Sequence, residues 1–198
     1  MRTGAQYSGT SGAPTGNEAL MNQQKGLSHL DDAGRARMVD VSGKSVSLRR
    51  ATAEGTIRMA AATLSAIREH SVEKGDVLTV ARLAAIGGAK RTAELIPLCH
   101  PLPLEAVDVE IEPLDTVPAL CLRVSVAAEA RTGVEMEALC AVSAGLLAVY
   151  DMCKGRDRAM QIESIRLLSK TGGVGGDWRN PGTALPDEEA PQGQERDT

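Results

Sequence analysis

The segment AVDVEIEPLDTVPALCLRVSV, residues 106–126, decides the fold of this chain. From residue 107 to residue 111 apolar and acidic side chains alternate strictly, which predicts a half-buried strand. Residues 113–118 have a proline at each end and predict a turn, and residues 120–126 predict the partner strand. Because the connection is short, we expect the two strands to pair as an antiparallel hairpin.

A long helical pattern and one more strand follow the hairpin. Residues 135–154 place apolar side chains at helical spacing, and the alanines among them are strong helix formers. Its apolar stripe consists of Leu139, Val142, Leu146 and Val149. Residues 162–168 predict the last strand, which leads into the glycine-rich loop KTGGVGG at 170–176.

Upstream of the hairpin the chain predicts strands and then helices. We expect a short strand at 36–41, a more ambiguous, extended segment at 45–58, a helix at 60–70 and a second helix at 77–95 with Asp76 as its N-cap. Gly87 and Gly88 weaken the second helix by about 1 kcal/mol each, so another helix or a ligand is expected to approach closely there. This order of elements predicts an α+β fold, a ferredoxin-like antiparallel sheet with helices packed on one face.

The proline-rich segment LIPLCHPLPL at 95–104 cannot be the interior of a helix. Each proline favours an extended backbone before it, and in an extended segment Cys99 and His100 point to opposite faces. They are therefore poorly placed to act together as a nucleophile and base. His100 either projects from a stiff backbone into a site or is a surface histidine in a crossover, and these ten residues alone favour the second interpretation.

Composition limits the domain organisation and the classes of partner. Residues 1–26 and the acidic residues 177–198 predict disordered tails, which leaves 27–176 as a single domain. A net charge of -4 and an aromatic content of 2% indicate neither nucleic-acid nor membrane binding. The four cysteines are far apart, and neither a secretory segment nor an apolar run of membrane-spanning length is found, which favours a cytoplasmic protein with reduced thiols.

The acidic residues of the long helix suggest a site shared between subunits. Asp151 lies fourteen positions after Glu137, which places the two on nearly the same face but about 21 Å apart along the axis. Such a pair cannot share one small site within a chain, although a second subunit can bring the two helix ends together. Each acid also has a structural interpretation: Glu135 and Glu137 suit a first helical turn, and Asp151 with Lys154 forms an ordinary ion pair.

Two other features leave alternatives open. Lys170 and the glycines after it are typical of an anion-cradling loop, yet a flexible linker into the acidic tail explains the glycines equally well. The three histidines are dispersed, so no metal site is predicted.

Six segments together resemble the molybdenum cofactor biosynthesis protein C (MoaC) family of cyclic pyranopterin monophosphate synthases. They are MVDVS (38–42), KGDVL (74–78), AAIGGAKRTAELIPLCHPL (84–102), TGVEMEAL (132–139), VYDMCK (149–154) and IRLLSKTGG (165–173). The resemblance implies a ferredoxin-like catalytic domain at 27–176 and a homohexamer, a trimer of dimers with active sites between subunits.

The resemblance also implies a reaction and its residues. The family converts (8S)-3',8-cyclo-7,8-dihydroguanosine 5'-triphosphate, made by a partner radical-SAM GTP cyclase, into cyclic pyranopterin monophosphate and diphosphate. No cofactor is implied beyond Mg²⁺ that the triphosphate itself can bind. By similarity Asp151 is the catalytic acid or base. The other expected catalytic residues are Lys74, Glu135, Lys154 and Lys170, and the expected substrate-binding residues are Leu98, Cys99, His100, Met136 and Glu137.

One departure from the family and one alternative function remain. The family's closing loop usually has a second lysine where this chain has Val174, so one positive charge is lost near the expected phosphate end. The alternative is a non-catalytic ferredoxin-like module that binds a nucleotide or pterin and regulates a partner. Both interpretations predict phosphate binding, but only the enzyme requires Asp151.

Overall fold

The computed structural model describes residues 33–182. Four strands and the helices between them follow the order β-α-β-β-α-β, and a short fifth strand comes last. The elements are β1 (Ser47–Arg58), α1 (Ala61–Arg68), α2 (Val77–Lys90), α3 (Thr92–Leu95), β2 (Ala106–Pro113), β3 (Ala119–Ala130), α4 (Glu135–Cys153), β4 (Gln161–Thr171) and β5 (Trp178–Arg179).

The five strands form one antiparallel sheet in the order β2-β3-β1-β4-β5. In the hairpin, Val107 faces Val126 and Val109 faces Val124, as the alternation predicted. The two halves of the chain interleave because β1 lies between β3 and β4. This arrangement confirms the ferredoxin-like fold.

The helix layer covers the face of the sheet that carries the small and apolar side chains of β1 and β3. α4 packs on β1, β3 and β4, and α2 packs along α4. The contact between the two helices is close: a Cβ atom on Gly88 would lie 2.7 Å from the Cβ atom of Ala144 and 2.8 Å from the carbonyl oxygen of Cys140. The predicted close approach at this glycine is therefore that of another helix.

By length and composition alone, α4 could cross a membrane. It lies instead in the core of the domain, where Val142, Leu146 and Val149 are completely buried against the sheet and α2. More than half of its apolar stretch is buried in this way. A core helix of a globular domain meets the same criterion, so the pattern is explained by packing.

Two predicted elements differ from the structure. Residues 36–41 do not form a continuous strand, and residues 33–40 are almost all exposed, so their apolar side chains do not pack into the core. The predicted helix at 77–95 breaks at Arg91, where the Thr92 hydroxyl donates to the carbonyls of Gly88 and Ala89. This local hydrogen bonding competes with the helix, and the short α3 that follows ends before Pro97.

The remaining predicted elements are confirmed with small changes of boundary. Asp76 is the N-cap of α2, and its carboxylate accepts from the backbone N–H of Thr79 at 3.1 Å. The sheet continues past residue 176, since Trp178 pairs with Lys170 and Arg179 with Ser169. The tail predicted at 1–26 and most of the tail predicted at 177–198 lie outside the described residues and stay predictions.

Candidate active site

The N-terminal end of α4 brings together several of the predicted site residues. Glu135 and Glu137 lie in the first turn, where the helix dipole favours negative charge. Lys170 on β4 lies opposite Ala51, on the helix side of the sheet, and its ammonium group is 3.1 Å from the Glu135 carboxylate. We call Glu135, Glu137, Lys170 and the neighbouring Cys99 and His100 the Glu137 cluster.

Glu137 is the unusual member because it is an acid in the protein interior. Only 4% of the residue is exposed. Burial raises the pKa of its carboxyl above the ordinary value of 4.5; the charge of Glu135 acts in the same direction, and a hydrogen bond with its own backbone opposes them. The carboxyl of Glu137 therefore holds its proton more tightly than an exposed glutamate does.

The proline-rich segment lies beside Glu137. Its backbone is not extended throughout, because the N–H of Cys99 donates to the carbonyl of Ile96 at 3.0 Å and closes a turn. Burial raises the pKa of the Cys99 thiol, as do the nearby Glu137 and Cys140, so this thiol is a poor nucleophile. His100 and Glu137 line a hollow of about 120 Å³ together with residues 89–94.

The loop after β4 is structured rather than a plain linker. Gly172 and Gly173 have φ angles of +88° and +87°, which favour glycine. The N–H of Gly172 donates to the Asp177 carboxylate, and a Cβ atom on Gly173 would overlap the guanidinium of Arg49. Val174, which replaces the family's usual lysine, is 98% exposed. The Val174 side chain therefore takes no part in the internal contacts of the loop.

The C-terminal end of α4 holds a second group, which we call the Asp151 cluster. The Asp151 carboxylate lies 2.6 Å from the ammonium group of Lys154 and 3.1 Å from that of Lys74. Lys74 also donates to the Asp151 carbonyl at 2.8 Å. The pair with Lys154 is the ordinary helix pair predicted for these positions, but the contact with Lys74 joins two distant parts of the chain.

These two lysines determine the protonation state of Asp151. Hydrogen bonds from Lys154 and Lys74, followed by their charges, lower the pKa of Asp151 below its ordinary value of 3.8. The same pairing raises the pKa of Lys154. Asp151 is therefore ionised at neutral pH, and its side chain is 58% exposed at the surface of the subunit. An ionised, accessible carboxylate is suited to accept a proton rather than to donate one.

Within one subunit the two clusters stay apart. Glu137 and Asp151 lie on the same helix, fourteen residues and thus about 21 Å apart along its axis. Each cluster contains a carboxyl group and at least one lysine, and in each a lysine pairs with a carboxylate. Comparison with known proteins shows to which family the chain that carries the two clusters belongs.

The family model described as "MoaC family" matches residues 38–173. This chain belongs to the MoaC family. Among its relatives is a protein of Nostoc sp. (strain PCC 7120 / SAG 25.82 / UTEX 2576) named "Cyclic pyranopterin monophosphate synthase". It is 56% identical over 155 residues, which cover 78% of this chain and 92% of the relative.

The MoaC match includes all ten predicted site residues. The structure brings together Lys74, Asp151 and Lys154 in one cluster and Glu135 with Lys170 in the other. Cys99 and His100 lie near Glu137, whereas Leu98 and Met136 are half-buried in the segments that carry these residues. Their roles in binding or catalysis stay predictions.

Sequence reasoning missed Arg49. It is 8% exposed and lies on the helix-facing side of β1 with Ala51 and Ala53, where its guanidinium donates to the Ala130 carbonyl and contacts the glycine loop. The period of two in β1 already places an arginine among small core residues. An arginine on the apolar face of a strand is unusual, so the sequence alone could have marked Arg49 as a candidate functional residue.

Proposed function

We propose that this chain is a cyclic pyranopterin monophosphate synthase, a lyase of molybdenum cofactor biosynthesis. The match to the MoaC family over residues 38–173 and the 56% identity to a relative of that name support this function. The substrate is (8S)-3',8-cyclo-7,8-dihydroguanosine 5'-triphosphate, and the products are cyclic pyranopterin monophosphate and diphosphate.

The observation that supports the chemistry best is the contrast between two carboxyl groups. Burial raises the pKa of Glu137, while hydrogen bonds and charges from two lysines lower the pKa of Asp151. Opening the guanine-derived ring by hydrolysis and closing it again as a pterin requires both a proton donor and a proton acceptor. We assign the donor to Glu137, with His100 beside it, and the acceptor to Asp151.

The second half of the reaction forms the cyclic phosphate. A sugar hydroxyl attacks the α-phosphorus, a new O–P bond forms, and the bond between the α-phosphorus and the bridging oxygen breaks. The diphosphate leaves with the electron pair of the broken bond, and the hydroxyl proton passes to Asp151. Lys74 and Lys154 lie within 3.1 Å of that carboxylate and stabilise the charge that develops on the phosphates.

The separation of the clusters supports an active site between subunits. In a homohexamer built as a trimer of dimers, the Asp151 cluster of one subunit would meet the Glu137 cluster, with Glu135 and Lys170, of its neighbour. The functional partner would be the radical-SAM enzyme that makes the cyclised nucleotide. Four free cysteines support the cytoplasmic location that the sequence predicts.

The prediction that Mg²⁺, if present, is bound by the oxygens of the triphosphate follows from the resemblance. Within residues 33–182 no group of three His, Cys, Asp or Glu side chains is arranged to hold a metal. The prediction that the protein has no cofactor of its own is untested.

The test is turnover of the cyclised nucleotide, followed as release of diphosphate. We expect Asp151→Asn to lower kcat by about 10²–10⁴, the usual contribution of one general acid or base. Asp115→Asn is the matched control, because Asp115 is an exposed aspartate in the hairpin turn. Both variants should keep the far-UV circular dichroism spectrum and the oligomeric state of the wild type.

The same assay separates the enzyme from the non-catalytic alternative. A regulatory module would bind the cyclised nucleotide without releasing diphosphate, and Asp151→Asn would leave that binding intact. If Asp151→Asn instead released diphosphate as fast as the wild type does, Asp151 would have no role in the mechanism.

A further inference from the structure

A turn after α4 places Arg156 beside the Asp151 cluster. The carbonyl of Cys153 accepts from the N–H groups of Arg156 and Asp157. The buried Asp157 carboxylate in turn accepts from the N–H of Ala60 at 2.7 Å and from the Thr63 hydroxyl at 3.3 Å. The backbone of Arg156 is thus held by contacts on both sides, while its side chain is exposed.

Arg156, which has no role in the reaction described above, lines a cavity that it shares with Lys74 of the Asp151 cluster. The cavity has a volume of about 420 Å³, within the range of small-ligand sites, whereas the hollow beside Glu137 has about 120 Å³. Val72 and Met152 supply apolar walls that pack against the core. The complete lining is Val72, Glu73, Lys74, Met152, Gly155 and Arg156.

The cations around this cavity are not equivalent. The ammonium groups of Lys74 and Lys154 are already paired with Asp151. In the part of the chain from residue 33 to residue 182, the guanidinium of Arg156 makes no ion pair or side-chain hydrogen bond, and it can bind an incoming anion without giving up a partner. Two cations, Lys74 and Arg156, line the cavity, and Glu73 is the one carboxylate in its lining. The balance favours an anionic ligand.

We propose that this cavity binds the diphosphate portion of the substrate and that Arg156 is its binding residue. The inference rests on the proposed function. Attack of the sugar hydroxyl on the α-phosphorus leaves the β- and γ-phosphates as the departing diphosphate, which takes the electron pair of the broken P–O bond. A guanidinium donates two parallel hydrogen bonds to phosphate oxygens, and it lies next to the lysines that contact Asp151.

The experiment measures binding of inorganic diphosphate to the full chain by isothermal titration calorimetry. We expect Arg156→Ala to weaken binding by about 10- to 100-fold, the range for hydrogen bonds to charged groups, and Arg156→Lys to lie between that variant and the wild type. Glu73→Gln should bind diphosphate more tightly. Arg158→Ala is the matched control, since Arg158 is exposed two residues later and does not line the cavity.

A kinetic measurement accompanies the binding experiment. With the cyclised nucleotide, Arg156→Ala should raise KM more than it lowers kcat, because the lost contact is made in the bound substrate as well as in the transition state. Equal diphosphate affinity in the wild type, Arg156→Ala and Arg158→Ala would overturn the inference, as would equal losses in both variants. The wild type could bind inorganic diphosphate through Arg156 and yet form no diphosphate from the cyclised nucleotide. In that case the proposed function fails and the binding site remains.

Discussion

Replacing Gly88 with alanine tests the close contact between the two long helices. The new Cβ atom would lie 2.7 Å from the Cβ atom of Ala144 and 2.8 Å from the Cys140 carbonyl oxygen. Carbon atoms in good contact are about 3.5–4.0 Å apart, so α2 and α4 must separate by several tenths of an ångström or more. Residues 89–94, which come directly after Gly88 in the chain, line the hollow beside Glu137. A shift of α2 away from α4 would therefore also disturb this hollow.

The neighbouring Gly87 supplies a control within the same helix. A Cβ atom there meets no atom within 4 Å. Alanine is favoured over glycine inside a helix by about 1 kcal/mol, so Gly87→Ala should raise the free energy of unfolding by roughly that amount. Gly88→Ala gains the same propensity but loses about 1–3 kcal/mol to overpacking, which gives a net loss of up to about 2 kcal/mol.

Chemical denaturation of both variants measures the difference. Gly88→Ala should unfold more easily than Gly87→Ala by about 1–3 kcal/mol, and each kcal/mol corresponds to about 2–4 °C in Tm for a chain of this length. Equal stabilisation by both substitutions would show that α2 and α4 do not approach as closely as described.

Two further predictions concern the Glu137 cluster. Because burial raises the pKa of Glu137, the folded state holds its proton more tightly than the unfolded state; the free energy of unfolding should fall as the pH rises from the ordinary value of 4.5 through the raised pKa. Urea denaturation at several pH values should show this fall in the wild type and not in Glu137→Gln, and parallel profiles would contradict the burial argument. Lys170→Ala should raise KM for the cyclised nucleotide, more at low salt than at high salt, whereas Lys44→Ala, at an exposed lysine, should not. A KM that is unchanged at every salt concentration would show that Lys170 does not bind the substrate.

Local patterns predicted most of the fold. The alternation in the hairpin and the apolar stripe of α4 both follow from burial on one face, which is visible in a single sequence. The strand expected at 36–41 was wrong because alternation alone does not show whether a neighbouring strand or core is available. The break at Arg91 was missed because it depends on a side-chain hydrogen bond from Thr92 to the backbone.

The site was less predictable than the fold. Helix geometry alone showed that Glu137 and Asp151 are far apart, and spacing alone paired Lys154 with Asp151. The resemblance supplied the role of Lys74. The contact between Lys74 and Asp151 joins residues 77 positions apart, so no local pattern reveals it. The burial of Glu137 likewise depends on tertiary packing, and a sequence shows only an acid in a first helical turn.

Subunit mixing tests whether the clusters of two subunits complete one active site. The direct measurement mixes Asp151→Asn subunits with Lys170→Ala subunits after subunit exchange has been demonstrated, at a substrate concentration at which each variant alone releases little diphosphate. If each site takes its Asp151 and its Lys170 from different chains, random assembly of an equal mixture makes about one quarter of the sites wild type. The account predicts about one quarter of wild-type diphosphate release from the mixture, and no recovery despite subunit exchange would contradict it.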